Sequence, residues 1–203
     1  MFKLYYTPGA CSLSPHIALR EAGLPFELVR VDLRGKRLSD GGDFFGVSPK
    51  GYVPALVLEN GELLTEGAVM IQYIADQKPE AALVPAQGTF ERLRMQETLN
   101  FIATELHKAQ SPLYSPHASE EYKTVLKERI AQRFAILAKQ LDGKAYLFGD
   151  QFTVADGYAF YTLRSWQKFM NGDLPAGLAA YHTRIAERPH VKAALEAEGL
   201  AGK

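Results

Sequence analysis

The first apolar run, Phe2–Tyr6, is closed by Thr7-Pro8-Gly9, the pattern of a buried strand that enters a loop. Leu13, Ile17 and Ala18 then share a helical face from which Arg20 and Glu21 point away, with Pro15 in the first turn and Gly23 at the C-terminal cap. Over residues 26–33 the period falls to two: Phe26, Leu28, Val31 and Leu33 alternate with Glu27, Arg30 and Asp32, which predicts a second strand. Residues 35–51 are rich in glycine and charge and read as a surface segment with one helical turn. Residues 53–58 form a strongly apolar strand with Pro54 near its start, and Asn60-Gly61 predicts a hairpin to Leu63 and Leu64. From Glu66 the spacing of Val69, Met70, Tyr73 and Ile74 is helical again until Lys78-Pro79. The predicted order is β-α-β-loop-β-β-α, a small mixed sheet.

Residues 79–85 carry two prolines and no clear period, the composition of a linker. No strand pattern follows it. Residues 90–110 and 122–141 read as long helices, the second with Leu126, Ile130, Phe134, Leu137 and Leu141 in register and Gly143 just past its end. Thr153-Val154-Ala155-Asp156 has the form of a capping box and opens a further apolar helix through Trp166. Two shorter helices, over residues 178–187 and 191–198, close the chain. The fold class is therefore α+β: an α/β module over residues 1–80 followed by an all-α domain over residues 87–203.

Composition narrows the function classes. Hydrophobic residues at 47% and charged residues at 23% are those of an ordinary globular chain, not of a disordered one. Twenty-three basic side chains balance 23 acidic ones, so no global field favours nucleic acid or an anionic membrane as a partner. No apolar run approaches the length of a membrane span, and the N-terminus does not read as a secretion signal. A single cysteine, Cys11, excludes an internal disulfide framework and a zinc cluster and fits a reducing, cytoplasmic compartment. No metal site is expected.

Three features carry candidate chemistry. Cys11 falls between the first strand and the first helix, where free amides and the helix dipole favour thiolate over thiol. Ser14 stands where a C-x-x-C motif has its second cysteine, so Cys11 can exchange with an external thiol but cannot form its own disulfide. Val53-Pro54 at a strand opening suits a cis peptide that turns the Val53 main chain toward an extended ligand. Thr65-Glu66-Gly67 sits at a strand-to-helix junction, where an anion meets free amides and Glu66 can pair with an ammonium. Each feature also has a purely structural reading: a buried small thiol, an edge-strand proline, and a helix capped by Thr65.

Taken in order, these segments resemble the cytosolic glutathione transferases, and among them the bacterial beta class. The segments that carry the resemblance are Lys3-Leu4-Tyr5-Tyr6 with Pro8-Gly9-Ala10-Cys11-Ser12-Leu13, Ser48-Pro49-Lys50-Gly51-Tyr52-Val53-Pro54-Ala55-Leu56, and Leu64-Thr65-Glu66 with Ile71-Gln72-Tyr73-Ile74-Ala75-Asp76. Leu99-Asn100-Phe101, Glu105-Leu106-His107-Lys108 and Phe152-Thr153-Val154-Ala155-Asp156 extend it into the second half. The resemblance implies a thioredoxin-like N-terminal domain that binds glutathione, an all-helical domain that contributes the site of a hydrophobic electrophile, and a homodimer. Glutathione is then a co-substrate and no other cofactor is implied.

By the same resemblance, Cys11, Ser12 and His107 are the catalytic candidates. Lys36, Val53, Pro54, Glu66, Gly67, Asn100 and Lys108 are the glutathione-binding ones, with Asn100 implied to come across the dimer. Gly67 replaces the serine common in the family and removes one hydroxyl donor. Trp166, Tyr114 and Tyr158 lie in the helical half and could line the electrophile pocket, with Trp166 the candidate named for it, although an aromatic at helical spacing is more often core. The implied function is conjugation of the glutathione thiolate to hydrophobic electrophiles, a detoxification chemistry. The alternatives are a glutathione-dependent dehalogenase or a thiol-disulfide exchange enzyme working through Cys11, and, in another class, a non-catalytic binding module.

Overall fold

In the computed structural model β1 (Phe2–Tyr6) is the central strand of a five-stranded sheet. It pairs in parallel with β2 (Phe26–Asp32), Phe2 opposite Phe26, and antiparallel with β4 (Ala55–Val57), Tyr5 opposite Ala55. The edges are β3 (Arg37–Leu38) on β2 and β5 (Leu63–Leu64) on β4, so the order is β3-β2-β1-β4-β5. A short β1 that is apolar and buried at every position but exposed Lys3 suits this place, because a central strand is covered on both faces. On one face α1 (Leu13–Glu21) packs against α2 (Gly67–Asp76), with Leu13, Ile17, Leu19, Met70, Ile71 and Ile74 fully buried. Each contributes about 1.5–3 kcal/mol by leaving water. Tyr5, Val31, Phe44, Val53 and Ala55 form a second apolar cluster.

The structure describes residues 1–202, apart from the side chain of Phe169. They divide into two compact units: Met1–Val84 with the chain from Glu187 onward, and Pro85–Ala186. The sequence reading took residues 87–203 as one helical domain, and the last helix of that stretch packs within the first unit. The last helix, α8 (Pro189–Ala197), packs its buried Val191 and Ala194 against α1. Its preceding residue Arg188 grips Glu21 through two hydrogen bonds of 2.7 Å.

Two further differences are local. The segment over residues 35–51 contains β3 as well as the expected helical turn, a 3₁₀ turn at Phe44–Gly46 anchored by fully buried Phe44. The strand expected from residue 53 begins at Ala55, because Pro54 has no N–H to offer the ladder.

The second unit is all helical. It contains α3 (Phe90–Phe101), which runs on as one π-helical stretch (Ile102–His107) into α4 (Lys108–Gln110), then α5 (Glu120–Leu141), α6 (Val154–Met170) and α7 (Ala176–Ala186). The single helix expected over residues 90–110 is therefore interrupted. The expected capping box is present: buried Asp156 accepts hydrogen bonds from Thr153 N and Oγ1, Leu147 N and Tyr181 Oη, at 2.6–2.8 Å. Burial pushes the Asp156 carboxyl up against the pull of these four donors. No helix among the described residues is long and apolar enough to cross a membrane.

Trp166 closes the end of α6. Its ring lies edge-on to Phe134, its Nε1–H donates to the Asp173 carbonyl at 3.0 Å, and its own carbonyl receives Gly172 N–H at 3.2 Å. A β-carbon on Gly172 would stand 2.0 Å from the Trp166 ring, so only glycine fits there. Gly172→Ala is expected to destabilise the protein by about 1–3 kcal/mol through overpacking, a fall of several degrees in the melting temperature. Thermal unfolding followed by circular dichroism checks this, and a midpoint equal to wild type contradicts the clamp.

Candidate active site

In the sheet-bearing unit, β1 ends in the loop Thr7–Ser12 that delivers Cys11 to the start of α1. The loop is tied to itself and to β2: Thr7 Oγ1 donates to the Val31 carbonyl at 2.7 Å, and Ala10 N–H donates to the Thr7 carbonyl at 3.0 Å. The buried Ser12 hydroxyl accepts from Thr7 N–H at 3.2 Å and donates to the Thr7 carbonyl at 3.3 Å. The hydroxyl is thus bonded within the loop, which leaves the amide as the group by which Ser12 could reach a ligand.

The amides expected to be free around Cys11 are so only in part. Leu13 N–H and Ser14 N–H are taken by the Ala10 and Cys11 carbonyls at 3.0 and 3.2 Å. Cys11 itself is half-buried, and its thiol donates to the Val53 carbonyl at 3.2 Å.

Val53 approaches from β4's side. Its bond to Pro54 is cis, as the sequence suggested, and its N–H has no partner in the chain among the described residues. The turn before it requires glycine: Gly51 has φ 63°, and a β-carbon there would meet the Phe45 ring at 2.6 Å. Gly51 offers its carbonyl to Lys36 Nζ at 2.7 Å, and the same ammonium lies 5.6 Å from the centre of the Tyr52 ring. Lys36 is thereby held one turn away from Val53.

Glu66 is the N-cap of α2 at φ 68°, ψ 104°, with no side-chain cap bond, so the reading in which Thr65 caps this helix is not what the structure adopts. Thr65 Oγ1 instead accepts from Lys50 Nζ at 3.1 Å, and the same ammonium reaches the Glu66 carboxylate at 2.7 Å. Both partners of that pair are exposed, which makes it weak and exchangeable. The amides of Gly67 and Ala68 have no partner among the described residues, as the first turn of a helix requires. A β-carbon at Gly67 would lie 3.7 Å from Pro54 Cγ, an ordinary contact. Lys36 and Glu66 are two of the four non-glycine residues with positive φ among the described residues. Such backbone costs of order 1–3 kcal/mol each and concentrates at functional sites.

The remaining candidates lie in the helical unit. Asn100 is exposed on the last turn of α3, its carbonyl receiving Thr104 Oγ1 at 3.0 Å. His107 ends the π-helical stretch, and its Nδ1 lies 2.8 Å from Tyr158 Oη, with Tyr161 edge-on at 5.1 Å. Burial, assisted by the Lys108 charge, lowers the His107 pKa to about 4, so the imidazole is neutral at pH 7. Lys108 is exposed.

Trp166 is corrected: at 4% exposure, with its N–H spent on Asp173, it is a core residue rather than a pocket wall. Sequence reasoning gave no role to Lys50 and Tyr52 and did not foresee the π-helical stretch. The signal for the first two was their place in Lys50-Gly51-Tyr52, directly before Val53. No cluster able to hold a metal ion occurs among the described residues.

Comparison with known proteins supplies the family. The family description "Glutathione S-transferase, N-terminal domain" matches residues 9–77, and "Glutathione S-transferase, C-terminal domain" matches residues 104–198. The chain is 46% identical over 199 residues to Glutathione S-transferase GstA of Escherichia coli O157:H7, covering 98% of this chain and 99% of that protein. Two solved structures each cover 98% of this chain and 100% of their own, with a TM-score of 0.92. One, 47% identical, is a sphingomonad glutathione S-transferase complexed with glutathione; the other, 48% identical, is the bacterial beta class glutathione S-transferase of Sphingomonas chungbukensis. With both halves matched and near-complete coverage at this identity, the chain belongs to the glutathione S-transferase family.

Proposed function

We propose that the protein binds glutathione extended along Val53 and the N-terminus of α2 and presents its thiolate to hydrophobic electrophiles. The observation that carries the reading is the pairing of Cys11 with Val53. The thiol is 3.2 Å from a main-chain carbonyl whose residue also keeps an unpartnered N–H, the donor and acceptor that an extended cysteinyl backbone would use. In this reading the cysteinyl N–H of glutathione replaces the Cys11 thiol on the Val53 carbonyl, and Val53 N–H takes the cysteinyl carbonyl.

The γ-glutamyl carboxylate occupies the amides of Gly67 and Ala68 at the positive end of α2. Its ammonium competes with Lys50 for Glu66, and Lys36 leaves the Gly51 carbonyl for the glycyl carboxylate. His107 enters by resemblance as a neutral hydrogen-bonding group, and with Tyr158 donating to Nδ1 the imidazole proton sits on Nε2.

A second reading has a specific observation behind it: Cys11 is a half-buried thiol with no second cysteine in the chain. Its thiolate attacks glutathione disulfide, the bond between the two glutathione sulfurs breaks, and a Cys11–glutathione disulfide and one glutathione thiolate result. The Cys11→Ala variant separates the two, since it loses exchange while conjugation persists. The proposal extends to a homodimer working on electrophiles in a reducing, cytoplasmic compartment, all of which the family resemblance supports.

Calorimetric titration of the protein with glutathione is expected to show saturable binding. Gly67→Ser should tighten it, because the added hydroxyl supplies one more donor to the carboxylate and its β-carbon meets only an ordinary contact at 3.7 Å. A gain of about 1 kcal/mol, about fivefold in Kd, is expected. No binding by wild type contradicts the proposal, and unchanged or weaker binding by the variant contradicts the place given to the carboxylate.

Burial also lowers the pKa of His182, to about 4, with help from Arg164 and Lys168. His107 and His182 therefore titrate below the ordinary histidine value of 6.5 when folded, and between about 4 and 6.5 the unfolded chain binds more protons. The contribution of these two sites to stability is present above pH 6.5 and is lost as the pH falls toward 4. Proton NMR should show both imidazoles still neutral at pH 5.5, and a midpoint near 6.5 for either contradicts the burial assigned to it.

A further inference from the structure

We propose that the hairpin of β2 and β3 holds a binding site for a phosphate group, either free or as a small monoester. A cavity of about 280 Å³ opens beside it, and Thr7, Arg30, Asp32, Arg37 and Ser39 supply its polar lining. The antiparallel register brings these residues together. Asp32 stands opposite Arg37, and Ser39 N–H donates to the Arg30 carbonyl at 3.2 Å. Arg30, Asp32, Arg37 and Ser39 therefore fall on one face of the ladder, while Val31 and Leu38 fall on the other, in the apolar cluster with Tyr5 and Phe44. Both arginines are exposed, as the rim of an open cavity requires. The volume equals that of about nine liquid waters, which suits a phosphate with a few further atoms and excludes a nucleotide.

What points to an anion is the way the charges around the cavity are engaged. The acidic side chains of residues 30–45 are each spent on main-chain amides of their own turns: Asp32 on Arg34 and Gly35 N–H at 3.0 and 3.2 Å, Asp40 on Gly42 N–H at 2.9 Å, and Asp43 on Phe45 N–H at 3.1 Å. None of the three pairs with an arginine. Among the described residues the Arg30 guanidinium and the Ser39 hydroxyl have no partner, and Arg37 reaches only the Gly41 carbonyl at 3.4 Å, although Asp32 lines the same cavity. Two guanidiniums at one cavity repel each other, and an oxyanion that accepts from both relieves the repulsion and suits their planar donor geometry. A dianion matches the two charges. Thr7 contributes a wall rather than a donor, since its hydroxyl proton is given to the Val31 carbonyl at 2.7 Å. Lys36, Val53 and Glu66 do not line this cavity, so binding there is independent of the proposed transferase function.

Amide NMR of the full-length protein, titrated at neutral pH and constant ionic strength, tests this. Inorganic phosphate and glycerol phosphate are the probes, and acetate is the monovalent control. Phosphate is expected to move the Arg30, Arg37 and Ser39 resonances with saturation in the millimolar range, and acetate is not. Arg30→Gln and Arg37→Gln should each weaken phosphate binding by about tenfold or more, the usual loss when a hydrogen bond between charged groups is removed. Arg34→Gln removes the same charge from the same hairpin but from outside the cavity, and should change Kd by less than about twofold. Tighter binding of glycerol phosphate supports a monoester as the ligand, and equal binding of the two supports free phosphate. No saturation with either probe, an equal response to acetate, or an equal loss in Arg34→Gln overturns the proposal. Displacement of phosphate by saturating glutathione overturns it too, by assigning the cavity to the site already described. A wild-type protein that binds no glutathione contradicts the proposed function and leaves the phosphate titration decisive. Should an arginine variant not fold, the comparison of phosphate with acetate on wild type decides.

Discussion

The register of β1 against β4 is the constraint on which the sheet-bearing unit's chemistry depends. Tyr5 opposite Ala55 brings the exit of β1 and the entrance of β4 to the same end of the sheet, and Cys11 and Val53 each lie a few residues beyond that rung. Shifted by one residue, the pairing would turn every side chain of β4 to the opposite face and carry Val53 away from the thiol. The rung is held by burial on both faces, since Leu4, Ala55 and Leu56 are completely inaccessible. The hydrogen bond between Cys11 and Val53 is a consequence of that packing rather than its cause.

Around this rung the backbone, more than the side chains, forms the candidate site. Among the described residues Val53 N–H and the first amides of α2 have no partner, Glu66 and Lys36 sit at positive φ, and a β-carbon on Gly51 would meet the Phe45 ring. These are destabilising choices that a fold tolerates where a ligand completes the hydrogen bonding. Cations already stand at the places where the ligand's charges would go: Lys50 on Glu66, and Lys36 on the Gly51 carbonyl. Binding in such a site exchanges one set of weak exposed partners for another. The helical unit works differently. There the candidate is a neutral imidazole packed against two tyrosines at the end of a π-helical stretch, and a buried carboxylate with four donors caps α6.

What was legible in the sequence follows the range of the forces involved. The first strand, the Asn-Gly hairpin, the helix after Glu66 and the capping box at Thr153 obey rules that act within a few residues, and each was readable from its own segment. Cys11, Val53 and Glu66 were identifiable for the same reason, each marking the boundary of an element. The misreadings depend on how loops and helix ends turn in three dimensions. Nothing local tells that the Ser12 hydroxyl turns inward to Thr7, that Trp166 spends its N–H on Asp173, or that the last helix finds its apolar partner in α1. The π-helical stretch inserts into a periodicity that an ordinary helix fits equally well. Lys50 was passed over because a lysine in a glycine-rich surface segment has no signature until Glu66 is placed beside it.

The central claim is that glutathione pairs with the main chain of Val53, and amide NMR of the labelled protein tests it most directly. On titration with glutathione the account predicts that the Val53 resonance moves with saturation, while that of Leu56, within the β1–β4 ladder, stays in place. A saturating response elsewhere with Val53 unmoved would contradict it.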